Sequence, residues 1–592
     1  MAAKTELSDS RKNSNQYSTD VPSSVKKKIK CSNGLKMFMI ALSFSYICKS
    51  LAGTVMKSSI THIERRFGTT SSEAGLIDGS FEMGNLMFLT LVSHFGSKSH
   101  IPRIIGTGCF IMGIGSILTC SPHFFMGYYR YDSALTVKPL ENSTGIYTPC
   151  STDLNLTGYS ESSALLKSGC KNESGLPMWI YVLMGNMLRG IGETPITPLG
   201  ITYIDNFAEE GHSTFYIGIL HSLSMFGPLF GFLLGSLCAK LYVDIGYVDL
   251  NTITIKPTDS RWVGAWWLGF LIMGILSIAA GIPFFFIPKS LEKPTKERKI
   301  SASLNIASTN ESRSQRTNFK NPEQKKESKN LAGFFHSLKR ILSNWMYIIY
   351  LIHSLFSFSS FIGYVTFMTK FLEQYFGQSI SKLNFFIGII IMPVISISIF
   401  LGGFISRKLK LKTLGIIKLL FISYICATAF QVLLLSFNCE RRSVAGLTVT
   451  YDGNNLRTHP QNTSFPFCNS ECNCDANLWD PVCGDNGITY MSPCLAGCKS
   501  SVGHGNDLVF HNCSCIEVHN FQSSTTSAHL GQCSMSDDCS RNFIYFMAVQ
   551  ALSSFFVGLG GPSKMVLTFK RNFSPHIFWS SNRLIMSEMG HQ

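Results

Sequence analysis

Residues 187 to 200 read MLRGIGETPITPLG and set Arg189, Glu193, Pro195 and Pro198 inside an otherwise apolar run. Arg189 and Glu193 are four apart, so on a helix they share a face and can meet. An unpaired charge in hydrocarbon costs about 3 kcal/mol on insertion scales, which places such a pair in a bundle interior or a watered cavity. Pro195 and Pro198 each remove a backbone donor and bend the helix, which a membrane tolerates where the freed carbonyls face protein or a cavity. A kinked helix with internal charges reads as the wall of a solute pathway; the structural alternative is an interhelical clamp.

Other charges repeat the pattern. Lys49 and Lys57 lie in or near the end of one apolar run, Asp78 and Glu82 are four apart in the next, and Lys370 falls late in another. Lys49 and Lys370 read as attractors of an anionic solute, or as side chains snorkelling to the headgroups. Lys57, Arg65 and Arg66 are nearer the water and suit a rim. His123, just after the third apolar run, is of the residue type that titrates near neutral pH, although a histidine beside an aromatic cluster also serves simply to pack.

The elements that must position these groups are long apolar helices. Of 592 residues, 45% are hydrophobic and 15% charged, with 45 Phe, which is too apolar for a chain whose surface is solvated by water alone. Runs of about 20 apolar residues, enough to cross roughly 30 Å of hydrocarbon, occur ten times. They fall near 35 to 56, 74 to 95, 101 to 121, 178 to 203, 214 to 242, 263 to 288, 345 to 372, 383 to 405, 414 to 437 and 543 to 569. The first thirty residues are polar and Lys-rich, so no cleavable signal peptide is expected and the first span serves as the targeting signal. The lipid bilayer is this chain's solvent.

Short-loop cations set the orientation. Lys26, Lys27, Lys28 and Lys30 precede the first span, Lys98 and Arg103 lie between the second and third, and Arg407, Lys408, Lys410 and Lys412 between the eighth and ninth. All fall on one side, together with the linker 289 to 344, which carries 13 Lys plus Arg against 5 Glu. This accounts for the basic balance of +15 as topology. There is no aromatic-interleaved basic motif for nucleic acid.

The opposite face is marked by sequons at Asn142, Asn155 and Asn172 between the third and fourth spans, and at Asn462 and Asn512 between the ninth and tenth. Asn310 also heads a sequon, but in the cytoplasmic linker. Eleven of the 19 Cys lie from Cys439 to Cys539, the density of an oxidised, disulfide-stapled module. The cysteines Cys468, Cys472, Cys474, Cys483, Cys494, Cys498, Cys513, Cys515, Cys533 and Cys539 are the expected staples. The count from Cys439 is odd, so one thiol is free or pairs elsewhere. Cys150 and Cys170, in the other outer loop, could pair with each other.

No G-x-x-x-x-G-K-[ST] loop, nucleophile elbow or metal-ligand spacing outside the disulfide module appears. An enzyme and an ATP-driven pump are disfavoured, and no cofactor is implied. A channel would need pore loops or charge rings. A secondary carrier is the class left with the fewest conflicts.

Within the outer module, Cys483, Tyr490, Cys494 and Cys498 keep a spacing that resembles a Kazal domain, the fold of many secreted protease inhibitors. A rigid extracellular cap is the favoured reading of it over protease inhibition. The stretch DSRWVGAWWLGFL, Asp259 to Leu271, resembles the signature of the organic anion transporting polypeptides at nearly every position. PHFFMGYYRY, MLRGIGETPITPLGITYIDNFA and SVAGLTVTYDGNN look like the liver-type members. The resemblance runs from about residue 25 to 560.

The resemblance implies an all-α polytopic membrane protein, a major-facilitator-like bundle of two halves with a disulfide-rich Kazal-like extracellular insert. Its activity would be sodium-independent uptake of amphipathic organic anions: bile acids, conjugated steroids, thyroid hormones, bilirubin and drugs. An exchange anion such as bicarbonate would be a partner, and the site would be the plasma membrane, basolateral in hepatocytes. By resemblance Lys49, Arg189 and Lys370 attract solute, Arg65 and Arg66 contribute after the first span, Glu82 and Glu193 are internal acids, and His123 is associated with pH-sensitive uptake. Trp262, Trp266 and Trp267 are assigned to packing at the membrane interface.

The expected organisation is a cytoplasmic segment 1–34, a six-helix half 35–288 containing a glycosylated loop 127–177, the basic linker 289–344, helices over 345–437, and the outer Cys-rich loop 438–541 with its Kazal-like part about 468–515. A tenth helix over 542–569 and a divergent tail 570–592 complete it, with both termini cytoplasmic. Family members continue with two more helices, whereas this chain loses likeness from about Phe573. That departure raises an alternative: a transport-inactive product retained in the endoplasmic reticulum or acting on full-length siblings. The least favoured reading is a scaffold presenting the Kazal-like module to a protease.

Overall fold

A computed structural model describes residues 31–96, 99–131, 149–150, 177–208, 213–289, 343, 345–409, 413–451, 467–472, 474–475, 478–503, 505–516 and 526–570. The sequons at Asn142, Asn155, Asn172, Asn310 and Asn462, the residue Cys170, nearly all of the basic linker and the tail beyond 570 lie outside the described residues.

The first half comprises α1 (Cys31–Phe67), α2 (Ser71–Gly96), α3 (Ile101–Cys120), the short α4 (Pro122–Phe125), α5 (Trp179–Glu193), α6 (Ile196–Phe207), α7 (Ser213–Ser224), α8 (Phe226–Lys240) and α9 (Trp266–Phe286). The second comprises α10 (Trp345–Phe376), α11 (Ile380–Phe386), a π-helical stretch Ile387–Ile391 continuing into α12 (Met392–Lys408), α13 (Thr413–Leu434) and α14 (Asp537–Lys570).

Among the described residues eight helical segments are long and apolar enough to cross a membrane. Two expected spans are helical but depart from that pattern for physical reasons. Helix α2 has the length, but Glu73, Asp78 and Glu82 dilute its apolar content. The fourth span is broken at Thr194 and Pro195, so α5 and α6 are separate helices. Proline at 195 has no N–H to continue the ladder, and the bend falls where the sequence places it.

Close helix packing in the first half rests on glycine. On α3, Gly108 and Gly115 face Gly192 and Gly185 of α5, while Gly106 and Gly113 face Gly281 and Gly274 of α9. A Cβ on Gly115 would lie 2.8 Å from the Gly185 carbonyl oxygen. Small residues let backbones approach where lipid supplies no hydrophobic drive between helices. Two buried clusters fill the bundle, one around Phe38, Leu42, Tyr203 and Phe284, the other around Met56, Ile63, Trp266 and Phe270. In the second half Leu372, Phe376, Phe543 and Phe546 form the buried centre.

The outer module is an antiparallel sheet in the order β2-β1-β5-β4-β3, from β1 (Val482–Gly484), β2 (Thr489–Tyr490), β3 (Cys498–Val502), β4 (Val509–Cys513) and β5 (Ala528–Leu530). Tyr490, on the edge strand β2, is buried in the module's core and donates its hydroxyl to the Cys515 carbonyl at 2.9 Å. Disulfides join Cys468 to Cys515, Cys474 to Cys494, Cys483 to Cys533 and Cys498 to Cys513, so the folded unit reaches past 515 to β5 and Cys533. Cys439 pairs with Cys539, closing the stem between α13 and α14. The eleventh cysteine, Cys472, pairs with Cys150 of the first outer loop. That corrects the expected Cys150–Cys170 pairing: Cys170 is near Cys150 in sequence, whereas Cys472 is brought to it only by the fold. Asn512 is exposed on β4 with φ of 55°.

Candidate functional site

The break between α5 and α6 carries a buried ion pair. Lys49 Nζ from α1 lies 2.8 Å from Glu193 Oε1 and donates to Thr197 Oγ1 at 2.8 Å. Both charged side chains are almost sealed, at 6% and 3% exposure. The carboxylate thus takes its cation from another helix. Arg189, 1% exposed, donates Nη1 to Asn186 Oδ1 at 2.8 Å, and its guanidinium lies 5.8 and 5.6 Å from the Phe81 and Phe270 ring centroids. Asn186 in turn donates to the Ile77 carbonyl at 2.7 Å, tying α5 to α2. Lys49 and Arg189 are therefore inside the first half, each holding helices together.

A second group of charges joins the two halves at the outer ends of their helices. Lys57 of α1 reaches Asp78 Oδ2 of α2 at 3.1 Å, and Thr366 of α10 donates to the same oxygen at 2.6 Å. One to two turns further out, Glu64 pairs with Lys370 of α10. Arg65 Nη2 lies 2.6 Å from Glu373 Oε2 of α10, and its Nη1 donates to the Trp262 carbonyl at 3.2 Å. Arg66 points away from this group, with its Nη2 donating to the Gly127 carbonyl and its guanidinium 5.5 Å from the Tyr129 ring centroid. Glu82 is half-buried one turn inward of Asp78.

His123 is buried in α4, stacked on Trp267 with centroids 4.6 Å apart and planes 7° from parallel. The signature tryptophans pack: Trp262 Nε1 donates to the Ala239 carbonyl at 2.9 Å, Trp267 Nε1 to Val243 at 2.8 Å, and Trp266 is 1% exposed.

The same signature segment anchors the outer module. Arg261 Nη1 reaches Asp480 Oδ1 at 3.0 Å while Nη2 holds Asp259 Oδ2 at 2.9 Å. Burial works against its charge, but these two carboxylates prevail and raise its pKa. Cys150, besides its disulfide to Cys472, donates its backbone N–H to the Cys498 carbonyl at 3.1 Å. The module is thus fastened to the first half by a disulfide and an ion triad whose two carboxylates are buried, and to the second by its own stem.

Residues 37–575 match the Organic Anion Transporter Polypeptide family. The chain belongs to that family. Among its relatives, human solute carrier organic anion transporter family member 1B3 is 54% identical over 93% of this chain and 78% of the relative. Human member 1B1 is 52% identical over 95% of this chain and 81% of the relative. Mouse member 1B2 is 50% identical over 92% and 78%. Among solved structures, the chain is similar to a bacterial homologue of the human lysosomal transporter Spinster, inward-facing and unoccupied. That likeness has 16% identity over 67% of this chain and 68% of the other, with a TM-score of 0.42.

As an organic anion transporter polypeptide, this chain is a multi-pass membrane transporter and not an enzyme. Its candidate cations divide by place: Lys49 and Arg189 are interior to one half, Arg65 and Lys370 stand between halves, and Arg66 sits on the outer rim. Sequence reasoning passed over Arg442, which follows α13 and lies beside the end of α10; only its place next to Arg441 and the stem cysteine Cys439 hinted at an outer-mouth position.

Proposed function

We propose that this chain is a sodium-independent secondary carrier that takes up amphipathic organic anions across the plasma membrane by alternating access. The solute class is bile acids, conjugated steroids, thyroid hormones, bilirubin and anionic drugs, with an anion such as bicarbonate moving in exchange. A basolateral hepatocyte location and cytoplasmic termini belong to the same reading. The observation that carries it is the set of ion pairs between α1 and α10: cations at a movable interface, each held by a carboxylate that an incoming anion can replace. Lys370 and Arg65 are the proposed solute-contacting cations. Arg189 and Glu193 act as part of the kinked α5–α6 wall and Lys49 through its pair with Glu193 there, Glu82 as a further internal acid, Arg66 at the rim, and His123 in pH-sensitive uptake from its stack on Trp267.

Protease inhibition by the outer module finds less support. Asp480, in the segment between Cys474 and Cys483, is buried and bound to Arg261 of the membrane domain, which suits a cap.

The test is saturable uptake of a radiolabelled steroid sulfate into cells expressing the chain, normalised to surface protein, beside Arg189→Ala and Lys370→Ala. Uptake that vanishes in Lys370→Ala at equal surface protein supports the reading. Surface protein with no uptake in the parent chain overturns it.

A further inference from the structure

Solute can enter from outside only if the outer ends of α1 and α10 part, and that motion separates charges in a way the structure specifies. Glu64 and Arg65 leave together on α1 and neutralise each other. Lys57 and Asp78 both stay with the first half and lose only the Thr366 hydroxyl. On the second half the departure leaves Lys370, Glu373 and Arg442.

Arg442 is the group that nothing above has used. Its Nη2 donates to the carbonyl of Gly377, the residue that follows α10, at 3.4 Å, and its Nε faces Met535 Sδ at 3.3 Å. Gly377 has φ of +63°, and a Cβ there would strike the Arg442 guanidinium, so α10 ends against this side chain. Among the described residues its direct acceptors are both neutral. Burial lowers its pKa, opposed by the carboxylates of Glu373 and Asp259 nearby. Glu373, whose backbone carbonyl accepts from the Gly377 N–H one turn on, is bound to Arg65 of the other half and has Arg442 of its own half nearby at that same end of α10. When Arg65 withdraws, Glu373 keeps a cationic neighbour, and the group Lys370, Glu373 and Arg442 holds two cations against one carboxylate. A net positive charge beside low-dielectric walls focuses attraction on anions.

We propose that Lys370, Glu373 and Arg442 form an anion-recruiting site at the outer mouth, capped in this structure by Glu64 and Arg65 and uncovered when α1 moves away. Its ligand is an organic anion whose sulfate or carboxylate takes the place of Glu64 on Lys370, with Arg442 as the second cation. The anion thereby competes with the gate's own carboxylates, so binding favours the open state by differential contact. This inference rests on the carrier reading and deepens it.

The experiment uses the full chain in cells with a reporter, Gly53→Cys. Gly53 lies one turn inward of Lys57 on the face of α1 that meets α10, and a Cβ there has open space. An impermeant maleimide is applied outside, with and without steroid sulfate. Loosening the cap with Glu64→Gln, with Glu373→Gln, which removes the carboxylate that holds Arg65, or with both should raise the labelling rate severalfold at equal surface protein. Steroid sulfate should change labelling of the reporter chain. Arg442→Gln should erase that response and raise the KM for uptake severalfold, while Arg441→Gln, on the exposed neighbour, leaves both unchanged. Unaltered labelling in both Glu64→Gln and Glu373→Gln, or a full sulfate response in Arg442→Gln, overturns the proposal. A sulfate response without uptake would sink the carrier reading while leaving the site standing; uptake without any labelling response would do the reverse.

Discussion

Replacing Lys49 by methionine is the perturbation that separates a clamp from a solute contact. Lys49 and Glu193 meet at 2.8 Å with 6% and 3% exposure, so the methionine variant would take the lysine from a carboxylate buried inside the first half. At an effective dielectric near 20 the lost Coulomb attraction is about 6 kcal/mol. Breaking one member of a buried pair typically costs about 3 to 5 kcal/mol, whereas replacing both by apolar side chains of similar volume is often neutral. Lys49→Met alone should therefore lower the thermal midpoint of detergent-solubilised protein and its surface level, and Lys49→Met/Glu193→Leu should recover most of both. The assay is a double-mutant cycle on the thermal midpoint, read beside uptake. An unchanged midpoint in Lys49→Met, or a double variant no better than the single, would refute the clamp. Normal stability with lost saturable uptake would instead make Lys49 a direct anion contact.

Two further tests probe the frame that holds the site. A Cβ at Gly190 would land on the Phe81 carbonyl of α2, so Gly190→Ala should cost about 1 to 3 kcal/mol by overpacking and reduce surface protein, whereas Gly53→Ala should be tolerated. With a protease site inserted in the 289–344 linker, the two cleaved halves should migrate together on a non-reducing denaturing gel. They should separate on reduction or in Cys150→Ser, and co-migration in that variant would argue against the Cys150–Cys472 bond.

Much of the frame was legible because hydropathy and proline act locally. Apolar runs marked the helices, and Pro195 marked the break between α5 and α6. The charges that matter were equally visible, since any ionisable side chain in such a run stands out against hydrocarbon. Their partners were not. A four-residue spacing advertises Arg189 with Glu193, but the ion pair that forms joins Glu193 to Lys49, 144 positions earlier. Lys370 with Glu64 and Arg65 with Glu373 are likewise matters of how two halves meet, which no periodicity records. Arg442 lacked even the contrast of an apolar setting, because it stands in a polar outer segment. Disulfide partners cannot be deduced from cysteine spacing, and Cys150 illustrates it.

The bond from Cys150 to Cys472 spans 322 residues of chain. At roughly 5 to 20 residues per second of synthesis, Cys150 reaches the oxidising side of the membrane on the order of 15 to 65 s before its partner is made. Throughout that interval it lacks its final partner and is open to oxidoreductases and to other cysteines such as Cys170. The first half therefore cannot complete its own oxidative maturation. Its last covalent step is set by the arrival of the second outer loop, so the bond records that both outer loops have been synthesised and brought together, and a chain released early carries a reactive thiol that reports its own incompleteness.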